Sequence, residues 1–148
     1  LIHTHINIPD LTGDSSLFEA EFNNIFEYLS EINKLSGNEK GFGVFDEIFT
    51  STNPLEGVCI SKSICDEFNK HKNTINIITS HFDELYNIND FDNYHVLIER
   101  NHDNIKFLYK VEKGLSNEKV AIEMLKRKGF NHEIVEKALE YKFKKIKI

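Results

Sequence analysis

The sequence is poor in the residues that build covalent or metallic scaffolds. Its two cysteines, Cys59 and Cys65, lie six apart, a spacing that fits neither a CxxC redox motif nor a zinc knuckle. Both read as buried thiols of a reducing compartment. His3 and His5 share one face of a short strand, but no third ligand lies nearby in the sequence, so no metal site is assigned to them. No apolar run approaches the roughly 20 residues that cross a bilayer, and the first residues contain no secretory h-region. Positive charge is also in deficit, with 18 Lys and Arg against 24 Asp and Glu, a net charge of -6. That balance argues against a stand-alone nucleic-acid binder, which ordinarily carries a basic face. It leaves room for a motor attached to a DNA-binding part. Methionine occurs once, at Met124, and the chain opens at Leu1 inside an apolar, strand-like stretch. It therefore reads as a piece of a longer protein.

What remains is an ordinary globular composition. At 148 residues, 40% hydrophobic and 28% charged, the chain can bury a real core and reads as soluble and intracellular, of the cytoplasm or nucleoid, with nucleus or organelle left open. Without an internal repeat or a low-complexity linker, one domain is the simplest count. The Leu1–Ile6 stretch predicts a strand, followed by loop chemistry to Asp14. Phe18, Phe22, Ile25, Leu29 and Ile32 step at helical period and predict a helix with that face inward. Phe42–Phe45 is a short apolar run ending in Asp46 and Glu47, and it reads as a buried strand. A helix over about 55–70 follows, with Val58, Cys59, Cys65 and Phe68 inward. Ile75–Thr79 is a third strand, and a helical turn follows near Asp83–Tyr86. A hairpin over 94–99 and 106–111 and two helices, over 117–128 and 132–145, complete the chain, with Gly129 as a helix C-cap. Strands alternating with helices imply a parallel sheet with crossover helices, to which the hairpin and the helical pair add. The lysines near the end, Lys142, Lys144, Lys145 and Lys147, read as a solvated helix face.

Three places could carry chemistry. Asp46 and Glu47 sit at the carboxyl end of a strand, where ligands gather in open α/β sheets. In nucleotide hydrolases of that architecture an aspartate there helps to hold magnesium, and a following glutamate can act as general base on water. Taken alone, a solvent-facing acidic pair at a strand end is the commoner meaning. His81 lies just past the next strand, and if the two strands are neighbours it shares a rim with Glu47. Ser16 with Glu19 fits a capping box at a helix start, and a helix N-terminus also suits phosphate.

In order and spacing these residues resemble the MutS family of mismatch-repair ATPases, of the ABC class of P-loop folds, from about Thr4 to Tyr141. Ser16-Leu17-Phe18, with Glu21 after two further residues, is similar to the family's signature segment. Asp46-Glu47-Ile48 through Glu56-Gly57 is similar to its Walker B stretch, and Ser80-His81 with Glu84-Leu85 to its switch. Tyr109-Lys110-Val111 with Gly114, then Gly129-Phe130-Asn131 with Glu133-Ile134-Val135 and Ala138, resemble its tail.

The resemblance implies an α/β P-loop NTPase sheet of ABC-ATPase type with flanking helices, incomplete at its N-terminus, plus a C-terminal helical pair. Residues 1–115 would be the C-terminal half of the ATPase domain and 116–148 a helical dimerisation region. It implies ATP and Mg2+ as cofactors. Asp46 would organise the magnesium, Glu47 would activate water and His81 would contact the γ-phosphate side. Asn53 would lie on the nucleotide-binding side, and Ser16 would reach the nucleotide of a partner subunit. The working unit would be a homo- or heterodimer that clamps mismatched double-stranded DNA through domains outside this chain, with a MutL-type protein as a possible further partner and no membrane contact. Two other readings stand beside it: another ABC-class DNA-maintenance ATPase, or a non-catalytic dimerisation module. A glycine-containing signature, expected of the former, is replaced here by Ser16-Leu17-Phe18, and the latter has no need of an acidic pair at a strand end.

The departures are specific. Phe49-Thr50-Ser51 replaces the usual Gly-Arg-Gly, Leu17 the signature threonine, and Ser80 the switch threonine. The phosphate loop G-x-x-x-x-G-K-[ST] does not occur in the sequence. The chain alone is therefore expected neither to bind ATP tightly nor to hydrolyse it.

Overall fold

The computed structural model describes residues 1–6, 17–101, 104–116 and 120–145. The chain forms two compact units, Leu1–Asn93 and Tyr94–Ile148. The first is α/β. Strands β1 (Ile2–His5), β2 (Gly41–Asp46) and β3 (Thr74–Thr79) form a parallel sheet in the order β1-β2-β3. Helices α1 (Leu17–Ile32) and α2 (Pro54–Phe68) make the two crossovers. A 3-10 turn, Asp83–Asn87, follows β3. The registers Thr4↔Val44↔Ile77 and His5↔Phe45↔Ile78 align the three strands, so their carboxyl ends lie on a common rim.

The core lies on the helical side of the sheet. Ile25, Tyr28 and Ile32 of α1 meet Phe45 of β2 and Phe68 of α2, with Ile48 and Phe49 from the turn after β2. Tyr28 packs edge-on against Phe45 and Phe68, with centroids at 5.1 and 5.4 Å, and its hydroxyl donates to Asn76 Oδ1 at 2.5 Å. Burial pushes that phenol up to about 12. The close approach of these rings depends on Gly43, where a Cβ would stand 2.5 Å from the Phe45 ring.

The buried stripe of α1 is Glu21, Ile25, Tyr28 and Ile32, one position round from the expected Phe18–Phe22–Ile25–Leu29–Ile32. Phe22 is exposed and stacks on Phe26 at 6.4 Å. The phenol–amide bond to β3 and the polar partners of Glu21 set that rotation. The helix ends at Ile32. In α2 the inward stripe is Gly57, Ser61, Cys65 and Phe68. Cys59 is exposed, against expectation, while Cys65 is buried. The opposite sheet face carries Ile2, Phe42, Ile75 and Ile77, all exposed, although parallel sheets are ordinarily covered on both faces.

In the second unit, β4 (Tyr94–Asn101) and β5 (Asn104–Lys113) pair antiparallel in a sheet of their own, so the hairpin does not extend the parallel sheet. Between Val96 and Ile98 the register shifts. β5 bulges there, and Tyr109 takes φ 52. Helices α3 (Ala121–Arg127) and α4 (His132–Lys145) follow. Gly129, at φ 80, ends α3 in a Schellman pattern: its N–H donates to Lys126 O at 3.1 Å and that of Phe130 to Leu125 O at 3.2 Å. Lys142 and Lys144 are exposed on α4, whereas Lys147 lies outside the described residues. No helix among the described residues is long and apolar enough to cross a membrane.

Candidate functional site

The rim at the ends of β2 and β3 gathers three of the sequence-derived candidates. β2 ends at Asp46, and Glu47 turns at once into the left-handed region, φ 51. Its N–H donates to Thr79 O at 3.1 Å and lies 3.2 Å from Thr79 Oγ1. The Thr79 hydroxyl in turn donates to Asp46 Oδ1 at 2.5 Å. The β3 terminus thus fixes both acidic residues. His81, two residues past Thr79, places Nε2 at 2.8 Å from Glu47 Oε1. His81 is 83% and Glu47 44% exposed at the side chain. A pair this wet contributes little to stability, and it is open to a ligand. Ser80 shapes the approach, its hydroxyl accepting from the Phe82 N–H at 3.0 Å.

Asn53 follows six residues after Glu47, at the start of α2. Its side-chain oxygen caps the helix, accepting from Leu55 N–H at 3.0 Å and Glu56 N–H at 3.5 Å. Such a cap is worth about 1 kcal/mol. A cavity of about 400 Å3 opens beside His81, lined by Pro54, Leu55, Val58, Phe82 and Glu84. Ser16 and its proposed box with Glu19 lie outside the described residues on the Ser16 side.

The turn between Glu47 and Asn53 is held from within. Phe49 also has a left-handed backbone, φ 57, which costs a non-glycine residue of order 1–3 kcal/mol. Its ring is 1% exposed and packs against Phe18 of α1 at 6.0 Å. Full burial of a phenylalanine, about 1.5–3 kcal/mol, offsets that strain. The Phe49 carbonyl lies 2.5 Å from where a Cβ on Gly57 would stand, so the first turn of α2 must be bare. Ser61, fully buried, donates to Ile48 O at 3.2 Å.

Sequence reasoning named His3, His5, Glu21 and Ser51 singly but did not join them into a buried polar cluster beside this turn. Glu21 of α1 is 6% exposed and His5 of β1 2% exposed. Ser51 donates its hydroxyl to Glu21 Oε2, and His5 Nε2 lies 3.8 Å from Glu21 Oε1. Asn24 Oδ1 meets His5 Nδ1 at 2.8 Å and His3 Nε2 at 3.0 Å. Burial lowers the His5 imidazole below its ordinary value, partly opposed by Asn24 and Glu21. The sequence signals for this cluster were the His3 and His5 pair on one strand face and Glu21 in the signature-like segment, but nothing in the sequence joined them. Ser51, the partner of Glu21, stands where the resembled pattern has glycine. Among the described residues, no three His, Cys, Asp or Glu side chains are grouped to hold a metal ion. Asp46 bonds one of its carboxylate oxygens to Thr79.

Comparison with known proteins gives a consistent picture. The family model described as MutS domain V matches residues 1–147. A DNA mismatch repair protein MutS of Prochlorococcus marinus (strain MIT 9312) is 29% identical over 135 residues, 88% of this chain and 14% of that protein. The protein of the same name from Persephonella marina is 28% identical over 109 residues, covering 71% of this chain and 12% of the relative. That from Chlorobaculum tepidum is 26% identical over 144 residues, 94% of this chain and 16% of the relative. The chain thus spans about one seventh of the length of the curated relatives it matches.

Proposed function

Since the chain belongs to the MutS family, we propose that its Asp46–Glu47–His81 rim is the magnesium- and water-handling half of an ATP site in a DNA mismatch-repair protein. The observation that carries this reading is the 2.8 Å contact between His81 Nε2 and Glu47 Oε1 across the ends of two neighbouring parallel strands. Glu47 is the general base that takes a proton from the attacking water. His81 orients that carboxylate and faces the terminal phosphate. Asp46 offers its remaining oxygen to Mg2+, a hard cation that commonly takes one or two carboxylates and completes its shell with water and phosphate oxygens. An exposed carboxylate fits that role. ATP, when bound with Mg2+, supplies the electrophilic phosphorus. Asn53, with its oxygen committed to the cap, presents its NH2 group to the nucleotide side, and Ser16 reaches a nucleotide on a partner subunit.

The uncovered sheet face and the outer edge of β3 support a larger P-loop sheet of ABC type, of which β1–β3 are three strands. The phosphate loop G-x-x-x-x-G-K-[ST], absent from this sequence, would be supplied by that larger sheet. Residues 1–115 then act as the C-terminal half of the ATPase domain and 116–148 as a dimerising helical region. The full protein is a homo- or heterodimer that couples ATP binding and hydrolysis to clamp movement on mispaired DNA, with a MutL-type partner downstream.

The test uses the polypeptide that carries both halves of the site. Glu47→Gln keeps ATP binding and lowers turnover by about 10²–10⁴-fold, the size of a lost general base. Steady-state hydrolysis and equilibrium nucleotide binding measure the two effects, and unchanged turnover rejects the role given to Glu47.

A further inference from the structure

We propose that Phe49 and Ser51 are positioning residues that clamp the turn carrying Glu47 to helix α1, so that the hydrolytic rim and the start of α1 move as one body. The proposal rests on the ATPase reading above and deepens it by naming what sets the geometry of Glu47. Both side chains stand where the resembled pattern has glycine, and glycine would supply neither contact. Phe49 is buried against Phe18, in the first turn of α1. Ser51 donates to Glu21, one turn further along the same helix. The clamp therefore grips α1 at two successive turns, one contact apolar and the other polar.

The polar contact is anchored a second time. A buried carboxylate is costly unless polar groups meet it. Glu21 meets the Ser51 hydroxyl from the turn and His5 from β1. Among the described residues, removing Ser51 leaves that carboxylate with His5 as its remaining partner, and the turn loses one of its holds on the helix. Glu47 and Phe49 both occupy left-handed backbone within this turn. A conformation that most side chains avoid persists only where its surroundings over-determine it. The clamp on one side and the Thr79 bonds to Glu47 and Asp46 on the other provide that determination. Start-of-α1 motion, where Ser16 would meet a partner's nucleotide, is thereby transmitted to the carboxylate that activates water.

The decisive variant is Ser51→Ala in the polypeptide that carries both halves of the site. Its kcat is expected to fall about tenfold, since small misplacements of a catalytic group are expensive, while KM for ATP stays within about twofold. Ser51→Thr, which keeps the hydroxyl, restores kcat. A second readout needs no catalysis. In the 148-residue chain, Ser51→Ala is expected to raise the NMR titration midpoint of His5, because Glu21 has lost its competing donor. Ser63→Ala, on the exposed side of α2, leaves that midpoint in place. Equal kcat in Ser51→Ala and the parent, with Glu47→Gln inactive, overturns the clamp and leaves the ATPase reading standing. If Glu47→Gln also turns over normally, the ATPase reading has failed, and the His5 midpoint then decides the tether: a shift upholds it and no shift overturns it.

Discussion

At the scale of single residues, α2 teaches most about what could be read in advance. The expectation that Cys59 points inward came from weighing apolar side chains. The stripe that packs is Gly57, Ser61, Cys65 and Phe68. Two of its four members are not hydrophobic. Gly57 is there because the Phe49 carbonyl leaves no room for a Cβ, and Ser61 because it satisfies the Ile48 carbonyl. A hydrophobicity pattern cannot see a position selected for smallness or for one hydroxyl. The two thiols differ accordingly. Burial pushes Cys65 up to about 12, aided by the nearby charge of Asp66, while Cys59 is exposed. The thiolate is the reactive form. Ellman's reagent at pH 8 is therefore expected to modify one thiol of the folded chain, mapped by mass spectrometry to Cys59. Cys65 should react only after denaturant is added, and two rapid equivalents under native conditions would contradict the burial described.

At the scale of elements, the order and type of the strands and helices were legible because their periodicities are strong. The boundaries of β3 and α4 also fell close to expectation. The facing of α1 was not legible, since Tyr28 and Glu21 enter the core side through polar partners on β3, the 47–53 turn and β1, and tertiary contacts of that kind leave no trace in helical spacing. The adjacency of β2 and β3, on which the pairing of His81 with Glu47 depends, could be posed from sequence only as a condition. The junction of β1 with α1 carries a pH dependence. His5 faces Glu21 and Asn24 of α1 and neighbours His3, and its folded pKa is lowered from 6.5 chiefly by burial. The unfolded chain therefore binds a proton at higher pH than the folded one does. The stability that His5 contributes is full above about pH 6.5 and is lost as pH falls below that value toward the lowered folded pKa. Thermal melts are expected to show a falling melting temperature from pH 7 to pH 5, with a shallower fall in His5→Asn. A melting temperature that rises on acidification over that window would contradict a buried neutral imidazole at this position.

At the scale of the whole molecule, the 148-residue chain matches about one seventh of the length of a curated relative. Its rim carries carboxylates and an imidazole, while the sequence holds no backbone cradle of the G-x-x-x-x-G-K-[ST] kind for the β- and γ-phosphates. Titration calorimetry of the isolated chain with Mg-ATP is expected to detect no binding tighter than about the millimolar range, near 4 kcal/mol. A nanomolar dissociation constant would show that the chain holds a complete nucleotide site of another kind. The bare side of the parallel sheet has a consequence for handling the protein. The exposed Ile2, Phe42, Ile75 and Ile77 are expected to make this polypeptide self-associate in solution, with a charge of -6 to oppose it. Light scattering should then report clusters that grow with concentration and with added sulfate and dissolve in mild detergent, and an acidic replacement at Ile75 should keep the sample clear.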